Sequence, residues 1–280
     1  MLPLLSHFQA REIITARTSG QANTLTSTDL GMTRTTVLLT MTGVVLPDQS
    51  SVPWEDIEAI ASDANDCWII EDHRARVLRR YSEATGHTYR LMPTRNAPAL
   101  IISGFNMHRI LNTTPREAAN AMVRALGRVH GDILDTTTGL GYTAIALSAA
   151  SRVVTIEKDP VSTEMARFNP WSQALFNNPR ITCVSGDSVS EIQGFPDASF
   201  AAIMHDPPSI QLAGELYAGT FYEQAFRVLN PKGKLFHYIG DPASALGSRT
   251  TQGVTRRLHR AGFARVEQKK EAFGVVAFKA

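Results

Sequence analysis

The chain has 280 residues, of which 43% are apolar and 19% charged, and a formal net charge of +2. That length suits a main domain with a smaller one beside it, and the composition excludes a disordered or fibrous chain. The near balance of charge gives no general pull towards a polyanion, and Cys67 and Cys183 stand in no metal-ligand spacing, which argues against zinc or a disulfide framework and fits a reducing cytoplasm.

In chain order, Met1-Leu2-Pro3-Leu4-Leu5 lacks a basic flank and is broken by Ser6 and His7, so it does not read as a signal peptide. No later stretch approaches the ~18 apolar residues of a membrane-spanning helix. Residues 36–46, rich in β-branched side chains around Gly43, predict two short strands or one bulged strand. Pro47-Asp48-Gln49-Ser50 is a turn, and residues 52–60 carry apolar positions at helical spacing. Residues 76–81 and 88–92, separated by Glu83-Ala84-Thr85-Gly86, predict a hairpin, and residues 99–102 one more strand. Residues 1–112 are therefore expected to form a small α+β or mostly β module.

The pattern changes at Asn112-Thr113-Thr114-Pro115. Thr114 can cap a helix whose first position is Pro115, and the apolar spacing of Ala118, Met122, Ala125 and Leu126 continues it. Beyond it, strand candidates at residues 132–135, 152–157, 181–185, 200–204 and 234–239 alternate with helical segments. Such alternation predicts a parallel sheet with helices on both faces across residues 113–280, and residues 265–270 and 274–279 predict an antiparallel edge hairpin. The basic cluster Arg256, Arg257, His259 and Arg260 reads as a solvated helix face, with nucleic-acid binding the weaker alternative.

In an open parallel sheet ligands lie beyond the carboxyl ends of the strands, which here bring Asp135, Glu157, Asp187 and Asp206 into play. Asp135 leads into Thr136-Thr137-Thr138-Gly139-Leu140-Gly141-Tyr142, a glycine-containing turn opening a helix. Gly139-Leu140-Gly141-Tyr142-Thr143-Ala144 also satisfies the dinucleotide fingerprint with Ala in its last place. A carboxylate at the lip of that turn suits an ammonium better than a pyrophosphate, which favours S-adenosylmethionine. Its amino-acid end would meet an anion, its ribose diol the acceptors of Glu157, and its adenine amino group an acceptor such as Asp187.

Asp-x-x-x-Gly-x-Gly at 135–141, Glu157 after the second strand, Gly186-Asp187 after the third and Asp206-Pro207-Pro208 after the fourth resemble class I S-adenosylmethionine-dependent methyltransferases over residues 115–280. The resemblance implies a Rossmann-like seven-stranded sheet of order 3-2-1-4-5-7-6. It also implies a cofactor set of Asp135, Thr137, Gly139, Gly141, Tyr142, Glu157, Lys158, Asp187, Ser188 and Asp206. His205-Asp206-Pro207-Pro208-Ser209 resembles the Asn/Asp-Pro-Pro-aromatic motif of amino-group methyltransferases, with Ser209 replacing the aromatic residue that would stack on a flat base. Residues 213–222, with Leu216-Tyr217 and Phe221-Tyr222, resemble the stretch after the catalytic loop of spermidine synthases.

The expected activity is a metal-independent, S-adenosylmethionine-dependent methyl transfer to an amine or amino-group nitrogen. The alternatives are transfer of an aminopropyl or 3-amino-3-carboxypropyl group, an NAD-dependent oxidoreductase, and an inactive adenosyl-binding scaffold. An aliphatic amine must lose a proton before it attacks, so Asp206 is the expected base or amine acceptor, His205 the second candidate, and Tyr217 a further catalytic candidate. Tyr222, His237, Tyr238 and Asp241 are weaker pocket candidates. The expected partner is a small amine, with a homodimer allowed.

Overall fold

The computed structural model describes residues 2–280. Contacts divide the chain into two compact units: residues up to Pro115 together with Glu164–Gln173, and Arg116–Thr163 together with Ala174–Ala280. The assignment of Glu164–Gln173 to the first unit has a physical basis. Arg80 donates to Glu164 at 2.8 Å and lies over the Phe168 ring, and the Trp171 indole donates to the Leu30 carbonyl at 3.1 Å.

The first unit is built on three small antiparallel sheets and two helices. One sheet is the meander Asn23–Thr26, Thr35–Leu39, Gly43–Val45 and Ser51–Pro53, so residues 36–46 form two strands joined by a turn. The expected hairpin is present between Arg79–Ser82 and His87–Met92, but the stretch from 76 to 81 is divided. Arg74–Val77 pairs instead with Trp68–Glu71, and Leu78 between the two strands is buried. Helix Trp54–Ser62 begins with Trp54, and its Asp56 accepts both Nε and Nη2 of Arg74 at 2.9 Å and the Ala75 N–H at 2.8 Å. Leu5, Ile13, Val44, Ile57 and Ile60 are among the side chains of this unit's core.

Helix His7–Thr18 was not expected from apolar spacing. Its signal is a capping box: the Ser6 side chain accepts from the first turn, and Gln9 Oε1 takes the Ser6 N–H at 3.0 Å.

The second unit carries a seven-stranded sheet, β1 (Ile133–Asp135), β2 (Val153–Glu157), β3 (Ile181–Ser185), β4 (Phe200–His205), β5 (Leu229–Tyr238), β6 (Arg265–Lys269) and β7 (Gly274–Phe278). Their order is β3-β2-β1-β4-β5-β7-β6, with β1 to β5 parallel and β7 antiparallel to both neighbours. β5 starts earlier than residue 234 because Leu229 pairs with Phe200. The helices from Pro115 onward are α1 (Pro115–Leu126), α2 (Tyr142–Leu147), α3 (Pro160–Phe168), which passes into the first unit at Glu164, α4 (Gln173–Asn177), α5 (Ser188–Gly194), α6 (Gly219–Val228) and α7 (Ala245–Arg260). Leu134, Ile156, Ile203 and Leu235 from the sheet pack in one core with Phe221, Val228 and Leu258 from the helices. This is the α/β, Rossmann-like class with a smaller β-rich unit that the sequence implies. None of its helices is long and apolar enough to cross a membrane among the described residues.

Removing the Ser6 cap is expected to loosen the first helix specifically. Ser6→Ala should cost about 1 kcal/mol, read as roughly fivefold faster amide exchange across His7–Thr18 with little change in β1 to β7.

Candidate functional site

Because β1 to β5 run parallel, their carboxyl ends share one edge, and register decides which side chains meet there. Asp135 pairs with Thr155 of β2 and Met204 of β4, while Glu157 pairs with Ser185 of β3. Asp206 follows the last residue of β4, and Asp187 follows Gly186 after β3.

The loop from Thr136 to Gly141 is anchored at nearly every residue. Thr136 N–H donates to the Met204 carbonyl at 3.0 Å and Thr138 N–H to the Ile156 carbonyl at 2.9 Å. The Thr138 hydroxyl bonds that of Thr155 at 2.7 Å, and the Ser188 hydroxyl donates to the Thr136 carbonyl. Gly139 and Gly141 both take left-handed backbone, at φ +52° and +75°, which other residues adopt only with strain. Their surroundings differ. A Cβ on Gly141 would meet the Leu175 side chain at 2.8 Å, whereas one on Gly139 would enter open space, leaving that backbone open to close approach by a ligand.

Glu157 faces this opening. Its Oε2 accepts the Gly139 N–H at 2.8 Å and its Oε1 the Asp159 N–H at 3.0 Å, and the Ser162 side chain donates to the same carboxylate. Burial pushes its pKa up, against the pull of these three donors. Asp135 is fully buried and accepts the Thr143 hydroxyl at 2.9 Å. Burial raises its pKa to about 7 against the Thr143 hydrogen bond, and the Glu157 charge adds to the rise. Asp206 is likewise pushed up to about 7, first by burial and then by the charge of Asp135. Neither Asp135 nor Asp206 has an ion-pair partner among the described residues. Two such carboxylates must stay partly protonated or receive a cation from outside the chain.

Lys158, next to Glu157 in sequence, is held by Asp187 at 2.7 Å. Asp187 also caps α5 by accepting the Val189 N–H at 2.9 Å. Burial would raise the Asp187 pKa, but Lys158 and Val189 bring it below the ordinary value. Both Asp187 oxygens are thus engaged within the chain. Ser188 and Tyr142 are buried, and the Ser188 hydroxyl is spent on the loop.

Several other expected residues are occupied in ways the sequence does not display. His205 is fully buried: its Nε2 donates to the Leu216 carbonyl at 3.0 Å, so Nδ1 accepts the Thr136 hydroxyl at 2.7 Å. Burial lowers its pKa to about 4, and no ring nitrogen remains to take a proton from a ligand. His205 is thus packed at the strand end with both ring nitrogens engaged within the chain. The Tyr217 hydroxyl donates to the Pro208 carbonyl at 3.0 Å, and Thr137 Oγ1 to the Asp206 carbonyl at 2.8 Å. These bonds engage two carbonyls of the Asp-Pro-Pro corner within the chain. Tyr222 and His237 bond each other at 2.8 Å in the interior. Tyr238 is half-buried, and the exposed Asp241 accepts the Ala243 N–H at 2.9 Å just before α7. Sequence reasoning missed Thr136 and Thr143, the partners of His205 and Asp135. Three consecutive threonines between an acidic strand end and a glycine were the signal for Thr136, and no comparable run marks Thr143.

Comparison with known proteins adds the following. No family model matches the chain. The uncharacterized protein MJ1233 of Methanocaldococcus jannaschii is 39% identical over 234 residues, covering 82% of this chain and 80% of that protein. Polyamine aminopropyltransferase 1 of Streptomyces coelicolor is 29% identical over 152 residues, covering 51% of this chain and 28% of that one. Putrescine N-methyltransferase 1 of Nicotiana tabacum is 29% identical over 100 residues, covering 34% of this chain and 27% of that one. The chain thus spans little more than a quarter of the length of each of these two enzymes. Among solved structures, spermidine synthase from Thermotoga maritima has the same fold, with a TM-score of 0.56 at 17% identity, covering 72% of this chain and 71% of that one.

The two loop glycines should separate folding from access. Gly141→Ala meets both the left-handed backbone and Leu175, and should lower stability by about 2 kcal/mol in thermal or urea unfolding, whereas Gly139→Ala should cost only about 1 kcal/mol.

Proposed function

The chain belongs to the family of MJ1233 of Methanocaldococcus jannaschii, and on that premise we propose that it is an S-adenosylmethionine-dependent transferase that methylates an amine or amino-group nitrogen. The observation that carries this reading is the pair of carboxylates, buried Asp135 and half-buried Asp206, with no ion-pair partner among the described residues, beside a loop whose Gly139 has open space where a Cβ would stand. The partial likenesses to putrescine N-methyltransferase and polyamine aminopropyltransferase support a transferase of this kind.

The residues present fit such a cofactor. Asp135 would hold its ammonium, the loop from Thr137 to Gly141 its amino-acid portion, and Glu157 its ribose hydroxyls through the acceptor capacity that Gly139, Asp159 and Ser162 leave. Asp187 would offer its remaining lone pair to the adenine amino group. When bound, S-adenosylmethionine supplies an electrophilic methyl on a sulfonium whose leaving group departs neutral. The chain's own work is then positioning and handling of one proton. Asp206 stands at the mouth with a carboxylate that accepts no hydrogen bond from its surroundings, and a pKa near 7 suits it to take a proton from an incoming ammonium. Ser209, in place of an aromatic residue, offers no platform for a flat base and favours an aliphatic amine.

A second reading, aminopropyl transfer, is favoured by the longer match to the aminopropyltransferase, 152 residues against 100 for the methyltransferase. Titration with S-adenosylhomocysteine, 5′-methylthioadenosine and NAD distinguishes these readings. Preference for the first supports methyl transfer and preference for the second supports aminopropyl transfer. Binding of NAD alone would overturn both.

The raised carboxylates fix the pH dependence. A folded-state pKa above the unfolded value means that the ligand-free protein gains from protonation at low pH and loses that gain as pH rises through about 7. A cationic ligand needs the ionised form, so S-adenosylhomocysteine should bind more weakly at pH 6 than at pH 8, by up to tenfold per pH unit for one displaced proton. Calorimetry at both pH values, with Asp135→Asn flattening the slope, checks this. Asp206→Asn should lower turnover by about 10²- to 10⁴-fold while changing cofactor affinity much less. Equal losses in both would refute the division of roles.

A further inference from the structure

A proline has no N–H, so neither Pro207 nor Pro208 can fix the Asp206-Pro207-Pro208 corner by donating a hydrogen bond. This part of the backbone can be tied down through its carbonyls. Two side chains of the same unit do so from either side of Pro207: Thr137 Oγ1 donates to the Asp206 carbonyl at 2.8 Å, and Tyr217 Oη to the Pro208 carbonyl at 3.0 Å. Both anchors are themselves held. Thr137 lies in the loop pinned to β2 and β4. Tyr217 ends the 3₁₀ turn Gly214–Tyr217, whose Leu216 carbonyl accepts His205 Nε2 at 3.0 Å, and its ring is buried 5.2 Å from that of His237.

The side chain of Asp206, by contrast, accepts no hydrogen bond from the described residues, and burial and the Asp135 charge alone act on it. Its location is set by its backbone, which leaves β4 at His205 and is held beyond that strand end by those two donors. We infer that Tyr217 and Thr137 are positioning residues that together place the Asp206 carboxylate, Tyr217 through Pro208 and Thr137 through the carbonyl of Asp206 itself. The consequence for turnover rests on the proposed function, but the placement of the carboxylate does not.

Titration of the Asp206 carboxyl carbon by ¹³C NMR, assigned with Asp206→Asn, tests this in the full chain. Tyr217→Phe removes one hydroxyl and keeps the ring. It should move the Asp206 titration down towards the ordinary aspartate range and lower kcat more than tenfold, with the acidic limb of the pH profile moving in step. Affinity for S-adenosylhomocysteine should stay within twofold. Thr137→Val loosens the same corner from its other end and should shift the same titration, and Thr137→Ser, which keeps the hydroxyl, should restore the wild-type curve. An Asp206 titration unchanged in both Tyr217→Phe and Thr137→Val would overturn the inference. Failure of the wild type to bind S-adenosylhomocysteine would overturn the proposed function instead, and the titration would still decide whether the corner is held in this way.

Discussion

The withdrawal of Asp135 and Asp206 from water at neighbouring strand ends is the constraint on which the site of the second unit depends. Parallel strands bring their carboxyl ends to one edge, and β1 and β4 are neighbours, so an acidic residue ending one and another just past the end of the next are forced together. Among the described residues no cation pairs with either of them, and Lys158 is engaged by Asp187 at 2.7 Å. The two carboxylates remain a deficit of positive charge that folding tolerates by raising their pKa values to about 7. A fold that needed only stability would have an apolar residue or an ion pair here, so the deficit itself points to a ligand.

Much of this unit was legible because its signals are local. The short apolar runs that become β1 to β4 begin and end within one residue of their structural limits, since each is bounded by a turn or a helix start. The acidic strand ends could be named for the same reason. β5 was read too short because its first pairing, Leu229 with Phe200, depends on a neighbouring strand and not on the run itself. In the first unit, the division at Leu78 is set by tertiary pairing: Trp68–Glu71 takes one half of the expected strand and His87–Met92 the other. No periodicity within residues 76–81 encodes that choice.

The site was legible in its residue types and less so in their employment. A sequence shows that His205, Asp187 and Tyr217 lie near the right edge, but not whether their polar atoms are already taken. His205 is absorbed by Thr136 and Leu216, Asp187 by Val189 and Lys158, and Tyr217 by Pro208. Each of these partners is supplied by a loop or turn whose course depends on the fold. The threonine run was visible, yet its three hydroxyls go to three different places, His205, the Asp206 carbonyl and Thr155.

That distribution also separates two carboxylates that are alike in type and in their raised pKa, although Asp135 is fully buried and Asp206 half-buried. Asp135 accepts the Thr143 hydroxyl, and a hydrogen bond to a carboxylate favours its charged form and resists a change of state. Asp206 accepts none, so gaining or losing a proton breaks no contact with the chain. A group that must hold a fixed countercharge is best bonded, and a group that must carry a proton through a reaction is best left unbonded but held in place. The side-chain bond of Asp135 meets the first need, and the carbonyl anchors around Asp206 meet the second. In the proposed reading, the two roles therefore divide through who donates to each carboxylate, because their intrinsic acidities do not distinguish them.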